Sequence, residues 1–162
     1  IGEENMGRPV AYGKALPGDV VVQVPAAASQ AFQANGGKFV ILNTSRHATL
    51  ASGGNTSDVF GWADVGTFSS SSTAGQDIIP VDISEAAYEI PINATQTESQ
   101  LKLLVGKTCD IEVVSGIQYA NYDASTDDVI EIVGYKYYGS GSGEQSLLVR
   151  LYARNQSSTG VA

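Results

Sequence analysis

The chain has 162 residues and a mass of 16.9 kDa, which fits one domain of ordinary size. Seventeen Asp and Glu against nine Lys and Arg give a formal net charge of −8. This charge disfavours nucleic-acid binding, because duplex binding depends mainly on cations that neutralise phosphates. Cys109 and His47 are the only cysteine and histidine, so the sequence holds no internal disulfide, thiolate zinc site or multi-histidine metal centre. The apolar runs fall well short of the roughly 20 residues that cross a bilayer, and the acidic residues 1–5 are unlike a signal peptide.

The first third of the chain predicts an arm followed by short strands. Residues 1–18 are rich in Gly and Pro and hold few apolar side chains, which predicts an extended arm without a core of its own. Residues 20–24 are mostly valine and end at Pro25, which predicts a strand. We expect a short helical turn over residues 26–34, because this stretch is rich in alanine and is followed by two glycines.

Three further strands are predicted before residue 64. Residues 38–42 are apolar almost throughout, which is typical of a strand buried on both faces. Residues 47–51 and Val59–Ala63 are two more short strands. The serine-rich stretch 69–75 predicts an exposed flexible loop.

Two of the following strand candidates contain proline. Pro80 lies within residues 78–83, and Pro91 lies within residues 88–92. Because proline lacks the N–H that a strand ladder uses, both segments are predicted to be edge strands or bulged strands.

The clearest helix signal spans residues 97–105. Thr97 and Gln100 fit a capping box, Leu101 and Leu104 belong to one apolar face, and Gly106 is placed to end the helix.

The rest of the chain predicts two strands, 109–114 and 117–120, and a hairpin of residues 129–138 and 145–154 around a glycine-rich turn. About nine short strands at this spacing predict an all-β fold. We therefore expect a single-domain β-sandwich or barrel with one short α-helix and an extended N-terminal arm. The expected boundaries are 1–18 for the arm, 19–156 for the β-rich domain and 157–162 for a flexible C-terminal tail.

Candidate chemical motifs each have a simpler structural explanation. Gly106-Lys107-Thr108 resembles the end of a phosphate-binding loop, but Leu101 stands where such a loop needs another glycine, so a helix stop explains it better. His47 has no nucleophile and orienting acid at a recognisable spacing, which favours a strand-end or surface histidine. Cys109 opens an apolar strand and is expected to be buried.

The carboxylates leave two alternatives open. Asp123, Asp127 and Asp128 share one turn and could bind calcium, although a solvated turn is favoured because the EF-hand spacing is absent. Asp110 and Glu112 lie two apart on one strand and could serve glycoside hydrolysis, although a solvated sheet face is favoured. We expect no catalytic residue, metal site or cofactor, and therefore no enzyme.

Tyrosines are concentrated at the C-terminal hairpin. Tyr135 and Tyr137 alternate onto one face, and Tyr152 is expected to lie across from one of them. If exposed, such a patch suits sugar stacking or a protein interface, and if buried it belongs to the core. The sequence leaves both possibilities open.

Several segments resemble small accessory head proteins of tailed bacteriophages. These segments are Leu104-Val105-Gly106-Lys107-Thr108-Cys109-Asp110-Ile111-Glu112-Val113, Gly116-Ile117-Gln118-Tyr119-Ala120 and Ser125-Thr126-Asp127-Asp128-Val129. The stretch Gly7-Arg8-Pro9-Val10-Ala11-Tyr12-Gly13-Lys14-Ala15 is similar to the N-terminal arm of some capsid decoration proteins.

The resemblance implies a non-enzymatic cement protein with a β-rich body, often trimeric, that clamps neighbouring subunits from outside the major capsid lattice. The expected partners are the major capsid protein and further copies of this chain, with a trimer favoured, and neither nucleic acid nor membrane. The expected location is the capsid exterior of the virion, after synthesis in the bacterial host cytoplasm.

The candidate partner-binding residues are Arg8, Tyr12, Lys14, Tyr135, Tyr137 and Tyr152. We expect residues 1–18 to order only on the partner surface, as binding arms do. The alternative function is a carbohydrate- or receptor-binding β module of a phage tail or a secreted protein, which would use the tyrosine patch.

Overall fold

The computed structural model describes residues 20–33, 35–52, 59–84, 86–125 and 129–151. This part of the chain folds into strands with one short helix, so the all-β prediction is confirmed. The first seven strands are β1 (Val21–Pro25), β2 (Ala31–Phe32), β3 (Phe39–Leu42), β4 (Ala48–Leu50), β5 (Val59–Ala63), β6 (Phe68–Ser69) and β7 (Ile78–Asp82). The remaining elements are β8 (Tyr88–Pro91), the helix α1 (Glu98–Leu104), β9 (Thr108–Val114), β10 (Ile117–Asn121), β11 (Ile130–Tyr137) and β12 (Gln145–Leu151). The predicted arm and the predicted C-terminal tail lie outside the described residues.

The first sheet has the order β1-β7-β5-β3-β4 and is antiparallel throughout. Its strands β3 and β5 are buried on both faces, as the apolar run of β3 predicted. Phe39 pairs with Trp62 and Ile41 pairs with Val59, with Phe60 bulged between them. These two pairs face the core under the second sheet, whereas Val40 faces the core on the other side.

The second sheet has the order β10-β9-β11-β12-β8 and curls so that its two end strands meet. Ile92 and Ala120 form a parallel bridge there, and Asn93 N–H donates to the Ala120 oxygen over 3.1 Å. The sheet wraps around the larger core, whose fully buried members include Phe39, Ile90, Leu101, Ile111, Ile130, Ile132 and Leu147.

A two-stranded ribbon of β2 and β6 covers the other face of the first sheet. Phe32 and Phe68 pair across the ribbon with their ring centroids 6.2 Å apart and pack into the smaller core. The prediction of a helical turn over residues 26–34 is therefore wrong. Burial of Phe32 in this core stabilises the extended conformation more than the weak helix propensity of alanine stabilises a turn of helix.

The serine-rich stretch 69–75 is tied to the chain before β2. Ser70 Oγ donates to the Ala27 oxygen over 2.6 Å and accepts from Gln30 N–H over 2.7 Å. Ser71 N–H donates to Asp77 Oδ2 over 2.6 Å. These bonds fix the start of a stretch that the sequence predicted to be a free loop.

The two proline-containing strands differ in their position. Strand β8, which contains Pro91, is an edge strand of the second sheet, as predicted. Strand β7, which contains Pro80, lies between β1 and β5, so the edge prediction is wrong for this strand. The Ile83 N–H donates to the main-chain oxygen of Val20, and the Ala26 N–H donates to the main-chain oxygen of Asp77. These two hydrogen bonds flank the β1–β7 ladder. Because bonded pairs alternate, Pro80 occupies a non-bonded position opposite β1, so that ladder needs no N–H from it. Its main chain faces Asp64, the residue after β5, whose N–H donates to the Pro80 oxygen over 2.9 Å.

Helix α1 is capped as predicted. The Thr97 hydroxyl accepts from Gln100 N–H, and the Gln100 side chain accepts from Thr97 N–H. Gly106 follows the helix with a φ of 88°, a conformation that favours glycine. Leu101 anchors the helix in the larger core.

Candidate functional site

The hairpin tyrosines lie on the inner face of the second sheet because of a bulge in β11. Ile132 pairs with Val149 and Gly134 pairs with Leu148, so Val133 is the extra residue. After this bulge the side chains change sides, and Tyr135 and Tyr137 pack half-buried against the larger core.

The partners of these tyrosines across the hairpin are not aromatic. Tyr135 is paired with Leu147 and Tyr137 is paired with Gln145. Tyr152, which was predicted to lie across from one of them, is outside the described residues. Tyr135 OH also donates to Glu98 Oε1 of α1 over 3.2 Å. Among the described tyrosines of this hairpin, Tyr138 is the exposed one, with 78% of its surface accessible.

Of the six candidate partner-binding residues, the structure therefore brings together Tyr135 and Tyr137. Their main contacts are with the core, and they form no open aromatic patch. The other four candidates lie outside the described residues, namely Arg8, Tyr12, Lys14 and Tyr152.

A groove runs past β8 and consists of two neighbouring lobes of about 520 and 500 Å³. Both lobes are lined by Asn35, Pro91, Gly143 and Gln145, so they are adjacent, and we call them together the β8 groove. Gln145 is held rigidly in its floor: its amide donates to the Gln96 and Gly139 oxygens and accepts from Gln96 N–H.

The first lobe contains Trp62, Lys38 and Glu89. The Trp62 indole stacks on Tyr88 with centroids 4.5 Å apart and an interplanar angle of 8°. The Phe39 ring packs on the indole in a T-shaped arrangement, with the ring centroids 4.9 Å apart and an interplanar angle of 84°. Two aromatic rings thus hold the indole in one orientation beside the groove.

The second lobe contains Tyr119 and Glu112, which are paired across β10 and β9 and are both half-buried. Val114 and Ile117 form the next pair on the same face of this ladder, and they also line the lobe. Pairs that face one side of an antiparallel ladder form one surface, so this lobe combines an apolar wall, an aromatic ring and a carboxylate.

The charged side chains of the first lobe already have hydrogen-bond partners. Lys38 is buried, and its ammonium donates to the main-chain oxygens of Val65 and Gly66. Burial lowers the pKa of Lys38, and the Asp64 carboxylate opposes this effect only in part. Glu89 accepts from Lys136 over 2.6 Å and from Ser146 Oγ over 2.7 Å. Both hydrogen bonds lower the pKa of Glu89.

A second surface feature lies where α1 approaches the bulge of β11. Leu103, Val105 and Val133 are exposed by 71%, 44% and 37%. Gly106 N–H donates to the Ile132 oxygen over 2.8 Å, which places Val105 and Val133 on either side of one hydrogen bond. We call these three residues the apolar patch. Its neighbours Lys102 and Lys107 are exposed.

The remaining predicted motifs have structural roles. His47 N–H donates to Asn43 Oδ1 in the turn before β4. Cys109 is buried, as predicted. Asp110 is 7% exposed, so the prediction of a solvated face is wrong at this residue. Its N–H donates to the Ala124 oxygen, because the chain after β10 folds back beside β9.

Among the described residues, no group of three or more His, Cys, Asp or Glu side chains is placed to hold a metal ion. Asp123 is described and exposed, whereas Asp127 and Asp128 of the candidate calcium turn lie outside the described residues. Helix α1 has seven residues, and no helix in the described part of the chain is long and apolar enough to cross a membrane.

The aromatic residues of the groove, Trp62 and Tyr119, were not among the binding residues predicted from the sequence. Trp62 is the only tryptophan of the chain, which was a usable signal, since tryptophan is enriched at binding surfaces. Nothing in the spacing of Trp62 and Tyr119 predicted one groove, because the two residues belong to different sheets.

Comparison of the chain with protein-family models, with curated proteins and with solved structures gave no match.

Proposed function

We propose that the protein is a capsid decoration protein that binds the outside of the major capsid lattice of a tailed bacteriophage and stabilises the head. The observation that carries this proposal on the structural side is the apolar patch. The proposal also uses the resemblance of residues 104–129 to accessory head proteins, and the patch lies at the start of that segment and on β11, which follows it.

The apolar patch has the composition of a protein-docking surface. Three large apolar side chains are exposed at the end of α1 and at the bulge of β11, on a chain with a net charge of −8. Exposed apolar surface in an otherwise polar protein marks interaction sites. Lys102 and Lys107 supply a cationic rim, which favours a partner surface with carboxylates around an apolar centre.

The patch is tested by co-sedimentation with phage heads prepared without this protein. We expect the variant Leu103→Ser/Val105→Ser/Val133→Thr to bind the heads at least about tenfold more weakly, because it removes the apolar centre of the interface. Its unfolding midpoint should change little, since all three side chains are exposed.

The matched control is Ile78→Thr/Ile83→Thr, which removes two comparably exposed apolar side chains, 55% and 40%, at the two ends of β7, away from the apolar patch and from the edge strand β1. This control should bind heads like the unmodified chain. Equal binding by the patch variant and the unmodified chain would contradict the proposed docking surface.

The N-terminal arm is the second proposed contact, based on Arg8, Tyr12 and Lys14. Deletion of residues 1–18 should abolish head binding and leave the circular dichroism spectrum of the β body unchanged. Unchanged binding after deletion would show that the arm is not needed.

A carbohydrate- or receptor-binding module is the second candidate function, and the β8 groove is the observation that favours it. The hairpin tyrosines support it less, because Tyr135 and Tyr137 pack against the core.

A further inference from the structure

We propose that the β8 groove binds a neutral oligosaccharide, with Trp62 and Tyr119 as the stacking residues of its two lobes. The inference is independent of capsid binding. It rests on the second candidate function and narrows it to one ligand class at one site.

The first argument is the fixed aromatic platform. One face of the Trp62 indole is covered by Tyr88, and an edge contact with Phe39 holds the ring from the side. Trp62 is half-buried and lines the first lobe of the groove. A sugar ring presents C–H groups on one face, and these pack well on an aromatic surface that loses no conformational entropy on binding.

The second argument is the polar lining around the aromatic rings. Glu112 accepts hydrogen bonds only, the amide of Asn35 both donates and accepts, and the hydroxyl of Thr95 does the same. Asn35 and Thr95 are exposed, and Glu112 is half-exposed beside Tyr119. Sugar hydroxyls are donors and acceptors at once, so a mixed set of this kind satisfies them.

The third argument is size and shape. Each lobe has the volume of a small-molecule site, and the four shared lining residues place the two lobes next to each other. An aromatic ring in each lobe suits a chain of several sugar units better than one compact ligand.

The charges of the groove favour a neutral oligosaccharide over an acidic one. Lys38 is the cation of the first lobe, and its donors are directed to the Val65 and Gly66 oxygens. Glu112 supplies negative charge in the second lobe, Glu89 of the first lobe is paired with Lys136, and the whole chain carries a net charge of −8. An acidic polysaccharide would be repelled, whereas hydroxyl groups are accepted.

The test uses the fluorescence of Trp62, which reports on the groove without any substitution because the chain has no other tryptophan. The full-length protein is titrated with the hexaoses of cellulose, chitin, starch, xylan and mannan, and with an acidic oligogalacturonate. We expect at least one neutral hexaose to change the Trp62 emission saturably, and the acidic oligosaccharide to leave it unchanged.

Two variants locate the site. Tyr119→Ala should weaken binding of that hexaose about tenfold, because one stacking contact is lost. Tyr138→Ala removes an exposed tyrosine that does not line the groove and should bind like the unmodified chain. The inference is overturned if no neutral hexaose binds up to about 10 mM, or if Tyr119→Ala binds as tightly as the unmodified chain.

Failure of this inference can be told apart from failure of the functions above. Tyr119 lies outside the apolar patch, so Tyr119→Ala should still co-sediment with heads. Attachment of the protein to host cells that persists after periodate oxidation of their glycans would support receptor binding while overturning the saccharide site.

Discussion

At the scale of single residues, Gln118 shows how one buried side chain joins the two sheets. It is fully buried on β10 of the second sheet. Its Oε1 accepts from Phe39 N–H over 2.9 Å, and its Nε2 donates to the Phe39 and Ala51 oxygens over 3.1 and 2.9 Å. Its own carbonyl accepts from Gly37 N–H over 3.0 Å. Gly37 must be a glycine here, because a Cβ would lie 2.5 Å from Gln118 Oε1.

Replacing Gln118 should greatly lower the free energy of unfolding of the protein. Gln118→Leu leaves main-chain groups of Phe39 and Ala51 buried without their partner, so we expect unfolding in urea to require about 3 kcal/mol less free energy. Gln33→Leu, at an exposed position, is the matched control and should change stability by less than about 0.5 kcal/mol. Equal stability of the two variants would contradict the bridging role of Gln118.

The Glu89–Lys136 ion pair makes the stability of the fold depend on pH, in a direction that the pKa of Glu89 determines. Hydrogen bonds from Lys136 and Ser146 lower the pKa of Glu89 below its ordinary value of 4.5. The stability that this pair adds is therefore present above pH 4.5 and is lost as the pH falls through the lowered pKa. Both side chains are substantially exposed, so the contribution is small.

Nuclear magnetic resonance titration of the Glu89 carboxyl group checks this sign. The midpoint should lie below 4.5 in the unmodified chain and should rise in Lys136→Met. The control Lys102→Met removes a cation near Glu98 and should leave the Glu89 midpoint unchanged. A midpoint that is the same in Lys136→Met and in the unmodified chain would contradict the assignment.

At the scale of secondary-structure elements, the sequence correctly predicted the elements that depend on local features such as capping residues and apolar runs. Strand β5 has the predicted bounds, and helix α1 differs from the prediction by one residue at each end. The failures at residues 26–34 and at β7 come from tertiary context, since burial of Phe32 and the register of Pro80 depend on distant strands. The bulge at Val133 is a third such case. Strict alternation from Ile130 would place Tyr135 outside, and only the pairing with β12 shows the change of side.

The capping box of α1 offers a test at this scale. Thr97→Ala removes the acceptor for Gln100 N–H and should lower the free energy of unfolding by about 1 kcal/mol. Ser99→Ala, an exposed position within the same helix, should change it by less than about 0.5 kcal/mol. Thermal or urea unfolding of the two variants compares them directly, and a larger loss in Ser99→Ala would show that the cap does not stabilise the helix.

At the scale of the whole molecule, the proposed function predicts an oligomer. A protein that sits on a symmetric lattice gains avidity when several copies bind together, which is why we expect a homotrimer. Strand β1 is an edge of the first sheet, and its exposed Val21 and Gln23 make it a suitable strand for contacts between copies. Light scattering of the purified protein should give three times 16.9 kDa. A monomeric mass over the whole concentration range would contradict the trimer and leave capsid binding to single chains.

The β8 groove could not be predicted from the sequence because it forms only when both sheets are in place. Asn35 precedes β3, Gly143 lies in the β11–β12 turn, and Pro91 lies on β8. The sequence could identify Trp62 as a rare residue, but not its stacking on Tyr88 or its position beside Gln145.

Electron cryo-microscopy of phage heads with and without the added full-length chain tests the capsid proposal most directly. We expect additional density at symmetry-related positions on the outside of the lattice, with the α1–β11 surface and its apolar patch turned towards the capsid subunits. Heads that look the same with and without a saturating amount of the chain would contradict it.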